Sequence, residues 1–112
     1  MTPADAPRLI GRGVSAQKAG RAGEACRHFE AATLADPQNV EAWMLLGIAL
    51  AGKGAQHRAT AVFLRATELH PANPLAHFNL GLQLQGQGLH GQAVDSFRRA
   101  VSLHPDYSYA MS

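Results

Sequence analysis

Residues 40–73 read VEAWMLLGIALAGKGAQHRATAVFLRATELHPAN, and residues 74–107 read PLAHFNLGLQLQGQGLHGQAVDSFRRAVSLHPDY. Laid over one another without a gap, the two 34-residue stretches agree at 13 positions. The register extends backwards to a third copy over residues 6–39. Phe29, Phe63 and Phe97 keep the spacing, as do Gly13, Gly47 and Gly81, and Gly20, Gly54 and Gly88. So do Ala25, Ala59 and Ala93, then Ala32, Ala66 and Ala100, and finally Pro37, Pro71 and Pro105. A fixed period of this length marks a repeat array, in which each unit buries its apolar face only by stacking on its neighbours.

Inside the 40–73 unit the apolar residues follow a helical period. Trp43, Leu46 and Leu50 form one stripe, Gly52-Lys53-Gly54 interrupts, and Ala59, Val62, Phe63, Ala66 and Leu69 form the next. Each unit therefore reads as helix, glycine-marked turn, helix. The proline column closes the second helix, because the residue before a proline is driven out of the α region. Asn39 and Asn73 stand where a side-chain oxygen caps the following helix, and Pro74 occupies the first-turn position that tolerates proline. Gly47 and Gly81 place small residues where paired helices must approach, with the phenylalanine column filling the space beside them.

These positions resemble the tetratricopeptide repeat family. The second unit carries Trp43, Leu46-Gly47, Leu50, Gly54, Ala59, Phe63, Ala66 and Pro71. The third carries Leu80-Gly81, Leu84, Gly88, Ala93, Phe97, Ala100 and Pro105, with His77 in place of the tryptophan. The first keeps Gly13, Gly20, Ala25, Phe29, Ala32 and Pro37, but has Leu9 in the tryptophan column and Arg12 where leucine is expected. The resemblance implies an all-α fold of tandem helix–turn–helix hairpins, three repeats in a short right-handed superhelix, with a role in protein–protein interaction. The whole of 1–112 reads as one domain with repeats at 6–39, 40–73 and 74–107, and 108–112 begins a truncated fourth.

Composition agrees with a folded chain that carries no chemistry of its own. The 112 residues are 46% apolar and 16% charged, which excludes intrinsic disorder. A formal charge of +2, with no basic cluster beyond Arg98-Arg99, predicts no nucleic-acid partner. The longest apolar stretch, residues 42–51, is half of what a membrane span needs, so no membrane insertion is expected. Without a visible secretory signal, the cytoplasm is the expected compartment. The single cysteine, Cys26, falls mid-helix beside Ala25 and reads as a small hydrophobe. Gly86-Gln87-Gly88-Leu89-His90-Gly91 spells the dinucleotide-binding glycine pattern, but that motif needs a preceding strand. The six histidines include no pair at metal-binding helical spacing and read as solvated or capping residues near helix C-termini. No metal, cofactor or catalytic group is expected.

A second apolar stripe lies about 80–140° from the first on each leading helix. It comprises Ile10 and Val14, Met44 and Ile48, and Phe78 and Leu82. In the resembled family these columns line the concave face, so the row implies an apolar groove for a partner peptide or helix. Glu41, Asn79, Gln17 and Gln85 would flank it. The alternative is that the stripe packs between neighbouring first helices. Co-chaperones of this family clamp a C-terminal carboxylate through columns that here carry Ile10, Val14, Leu45, Leu75 and Asn79, so that clamp is missing. Asn79 matches the inward asparagines of the O-linked sugar transferases, with Gly11 and Leu45 at the equivalent positions. Adaptor to a larger transferase or hydroxylase, and structural self-assembly, remain as rival roles. Val94, Phe97, Val101 and Leu103 form an apolar face on the last helix, expected to take a chain continuation or a second copy in a homo-oligomer.

Overall fold

The computed structural model describes residues 2–105. A 3₁₀ turn, Pro3–Asp5, precedes six helices: α1 (Ala6–Lys18), α2 (Ala22–Ala35), α3 (Val40–Gly52), α4 (Gln56–Leu69), α5 (Pro74–Gly86) and α6 (His90–Leu103). Among the described residues there is no strand. Each odd-numbered helix packs on the even-numbered helix that follows it, and α2 and α4 pack in turn on α3 and α5. The result is a row of three hairpins measuring 38 × 25 × 21 Å. The expected start of a fourth repeat at 108–112 lies outside the described residues.

The repeated punctuation has a repeated geometry. Gly20, Gly54 and Gly88 adopt φ of 78°, 81° and 79°, a left-handed conformation that costs glycine no Cβ clash. In the second hairpin the Gly54 N–H donates to the Ala51 carbonyl at 3.0 Å and the Ala55 N–H to the Leu50 carbonyl at 2.9 Å. This paired closure satisfies carbonyls left over at the helix end, and it recurs after α1 and α5. The Asn39 side chain accepts the Ala42 N–H, and that of Asn73 accepts the N–H groups of Leu75 and Ala76, so α3 and α5 are capped as expected. Asp36, His70 and His104 leave the helical region ahead of the three prolines, with ψ of 88°, 76° and 97°. Pro3 and Asp5 stand 34 residues before Pro37 and Asn39, so the period reaches further towards the N-terminus than the six columns indicate.

The helix pairs close on a glycine–phenylalanine contact. A Cβ built on Gly47 would lie 2.6–2.9 Å from three ring atoms of Phe63, and one on Gly81 at 2.6–3.1 Å from those of Phe97. Gly13 faces Phe29 in the same way. Ala25, Ala59 and Ala93 are buried beside these contacts, in one apolar cluster that runs from Ala16 through Phe29, Leu50 and Phe63 to Leu84.

Polar side chains tie consecutive units. The Trp43 indole N–H donates to the Pro37 carbonyl at 2.9 Å. His77, in the same column, places Nε2 2.8 Å from the Pro71 carbonyl. A carbonyl only accepts, so Nε2 carries the proton, and the imidazole reproduces the indole bond. His70 Nε2 reaches the Gln38 carbonyl at 3.1 Å, and Arg58 pairs with Glu30 at 2.7 Å across α4 and α2. The expected C-terminal placement holds for His70 and His104 and not for the other four histidines. His77, His57 and His90 lie in first turns, His28 lies within α2, and His70 and His104 occupy C-caps.

Candidate functional site

The surface available to a partner is set by which columns the stacking consumes. On α3 Glu41 and Ile48 are exposed, and Leu45, between them on the same face at i, i+4 and i+7, is partly covered. On α5 the same columns hold Leu75, Asn79 and Leu82, and on α1 they hold Pro7, Gly11 and Val14. Leu75 is 44% exposed and Ile48 and Leu82 are each 42% exposed, whereas Leu45, Asn79 and Val14 are partly covered. Glu41 is exposed beside Leu45. Three aliphatic side chains of α3 and α5, Ile48, Leu75 and Leu82, and one carboxylate, Glu41, are therefore exposed.

The expected groove residues divide between this line and the interior. Ile10 is buried in a cluster with Ala6, Leu9, Ala32, Ala35 and Ala42, with Val14 and Leu45 at its edge. Met44 is buried in the main cluster, with Leu45 and Val14 at its margin. Neither offers much area to a partner. Phe78 is partly buried, its ring centroid 5.7 Å from that of Phe97 and tilted by 52°. Leu75 supplies exposed apolar surface absent from the expected set, and Leu45 a partly covered side chain. Their spacing to Ile48 and Leu82, seven residues along the same helix face for Leu75 and three for Leu45, is the signal in the sequence.

At the C-terminal end a cleft of about 260 Å³ opens between α5 and α6. Phe78, Leu82, Gln85, His90, Ala93, Val94 and Phe97 line it. Two sets of residues expected to serve different purposes, Phe78 with Leu82 and Val94 with Phe97, thus meet in one place. Val101 and Leu103 are partly buried further along α6, outside the cleft lining. The opposite end carries a wider and more open cleft of about 590 Å³, lined by Arg8, Arg12, Arg21, Glu24 and His28 among others. Arg8 pairs with Asp5 at 3.2 Å and Arg21 with Glu24 at 3.6 Å. The Asp5 carboxyl accepts the Thr2 N–H at 2.8 Å, and this bond, aided by Arg8, holds it below the ordinary 3.8.

Gly86 ends α5, Gly88 makes the left-handed turn and Gly91 sits in the first turn of α6, so the glycine-rich hexapeptide is a helix–helix turn. Cys26 is buried. Among the described residues no group of three metal-ligating side chains converges, and no helix is long and apolar enough to cross a membrane.

Comparison with known proteins agrees with this architecture. MamA superposes with a TM-score of 0.84 at 23% identity, over 90% of this chain and 59% of that one. YrrB, described as a TPR protein with an unusual peptide-binding site, superposes at 0.86 and 22% identity, over 95% of this chain and 55% of that one. An O-GlcNAc transferase mutant of Thermobaculum terrenum matches at 0.82 and 30% identity, over 93% of this chain and 20% of that one. The chain thus spans little more than half the length of MamA and YrrB. No curated protein sequence matches it. The tetratricopeptide repeat pattern matches residues 10–74 and 56–108, nearly the whole length, and the chain belongs to the tetratricopeptide repeat family.

Proposed function

We propose that this chain is a non-catalytic protein-interaction module that takes an apolar peptide or helix of a partner along the open line of its first helices. The observation that carries the reading is the exposure of Ile48 on α3 and of Leu75 and Leu82 on α5, with Leu45 partly covered beside them. Apolar area would supply the affinity, and Glu41 and Asn79 would fix the register of the bound segment. The peptide-binding site of YrrB supports the general role without assigning the residues. Ile48→Glu with Leu75→Glu, both on exposed positions, is expected to abolish partner capture while leaving helicity by circular dichroism unchanged. Capture that survives both substitutions overturns the reading. Met44→Glu is unsuited to this test, because it places a charge in the core. A second reading, adaptor domain of a larger enzyme, is favoured by the 30% identity to a fifth of the Thermobaculum terrenum transferase chain.

A further inference from the structure

We infer that the cleft at the N-terminal end of the array is a docking site for an extended acidic segment of a partner protein, with carboxylates on alternate residues. Helices α1 and α2 bring together charges that the sequence holds apart. Residues 6–28 carry five of the chain's ten lysines and arginines against one acid, Glu24. Arg8 and Arg12 from α1 and Arg21 from α2 line the cleft of about 590 Å³, and Glu24 is the only carboxylate in its lining. Arg12 makes no ion pair among the described residues. Arg8 and Arg21 are held only by exposed pairs, to Asp5 at 3.2 Å and to Glu24 at 3.6 Å. Pairs of that kind contribute little, so an incoming carboxylate can compete for both guanidinium groups.

The composition of α1 rejects a stacked helix of the array's own kind. Where α3 packs on α2 its buried ridge is Ala42, Leu46 and Leu50, and where α5 packs on α4 it is Ala76, Leu80 and Leu84. The same columns of α1 hold Arg8, Arg12 and Ala16. A helix seated on α1 as α2 is seated on α3 would strip two guanidinium groups of water against an apolar face, whatever sequence precedes α1. Carboxylates answer that charge. Arg8 and Arg12 stand about 6 Å apart along the helix axis, close to the spacing of about 7 Å between side chains i and i+2 of an extended strand. Each guanidinium can grip a carboxylate through two N–H groups. Gly11, Ser15 and Ala19 beside them are small and exposed, which leaves room for a backbone along α1. Nucleic acid is the poorer match, since no Phe, Tyr or Trp lines the cleft to stack a base and Glu24 opposes phosphate. Arg8 and Arg12 lie off the carboxylate-clamp columns, and the apolar line through Ile48, Leu75 and Leu82 takes no part.

The test is fluorescence anisotropy of a labelled Glu-Ser-Glu-Ser-Glu peptide titrated with the 112-residue chain at low ionic strength. Binding is expected, and it should weaken with added salt because the charges are exposed. Arg8→Gln with Arg12→Gln should weaken it by about fivefold or more, with helicity by circular dichroism intact. Arg98→Gln with Arg99→Gln removes the same charge from exposed positions of α6 and should leave binding unchanged. In the unaltered chain, NMR shift changes are expected at Gly11, Ser15 and Ala19. Absence of binding, equal binding of Gln-Ser-Gln-Ser-Gln, equal loss from the α6 pair, or shifts confined to α3 and α5 would each overturn the proposal. Tighter binding of a hexathymidylate strand would assign the cleft to nucleic acid and overturn it as well.

Discussion

Replacing Gly47 with alanine separates packing from helix propensity, because the two effects have opposite signs there. Alanine is favoured over glycine inside a helix by about 0.8–1 kcal/mol. At Gly11, midway along α1, nothing lies within 4 Å of the added methyl, so that gain is expected almost undiminished. At Gly47 the methyl carbon would sit 2.6, 2.7 and 2.9 Å from ring atoms of Phe63, where carbon atoms prefer about 3.5–4.0 Å. Phe63 is fully buried between α3, α4 and α5, so the ring has no open side to retreat to. Overpacking of this kind costs about 1–3 kcal/mol, and an overlap near 1 Å against a rigid ring belongs at the upper end. The expected net loss for Gly47→Ala is about 1–2 kcal/mol, against a gain of about 0.5–1 for Gly11→Ala.

Urea unfolding followed by circular dichroism resolves that difference. At about 4 °C per kcal/mol for a chain of this size, thermal midpoints should move in opposite directions, down for Gly47→Ala and up for Gly11→Ala. Phe63→Leu combined with Gly47→Ala should cost less than the two single losses added, since the shorter side chain vacates the overlap. If Gly47→Ala stabilises the chain as Gly11→Ala does, the glycine–phenylalanine contact does not limit helix approach, and the account of the core is wrong.

Ala59→Leu should overpack the α3–α4 pair by about 1–3 kcal/mol, while Lys53→Ala at the exposed turn should stay within about 0.5, and equal effects in urea titrations would contradict the packing scheme. Asn39→Ala removes the cap on the Ala42 N–H and should cost about 1 kcal/mol, with Asn39→Asp retaining most of it. Asp5 titrates below 3.8 when folded, so its contribution is present above the unfolded value and fades as pH falls through the lower folded one. An NMR titration placing Asp5 at or above 3.8 would refute the Thr2 contact.

The fold was legible because a repeat states each instruction three times. One Gly-Lys-Gly is a weak turn signal, but Gly20, Gly54 and Gly88 in register left no other assignment, and their φ values coincide within a few degrees. The capping asparagines were equally readable, since a cap is a local bond between neighbours in sequence. Contacts between side chains and backbone six or thirty-two residues away had no such signal. That His77 would reproduce the Trp43 bond to a proline carbonyl follows from the shared column only after the indole's partner is known. The reach of His70 to Gln38 depends on how two loops stack.

The site was less legible for a geometric reason. A helical wheel gives the angle between two stripes and leaves open what stands opposite each, and in a stacked array one face of a first helix meets solvent while the adjacent face meets the next unit. Ile10 and Met44 lie on the side turned to the interior and are buried, while Ile48 and Leu82, one turn later on the same stripe, remain largely open. The exposed line therefore runs obliquely to the stripe and takes in Leu75, with Leu45 partly covered. In that column Ile10 and Met44 are buried, and Phe78 is partly buried with its ring against Phe97. Burial thus divides the row expected along three repeats, with Ile10 and Met44 in the core and Ile48 and Leu82 at the surface, because each first helix turns one side of that stripe to its neighbours and the other to solvent.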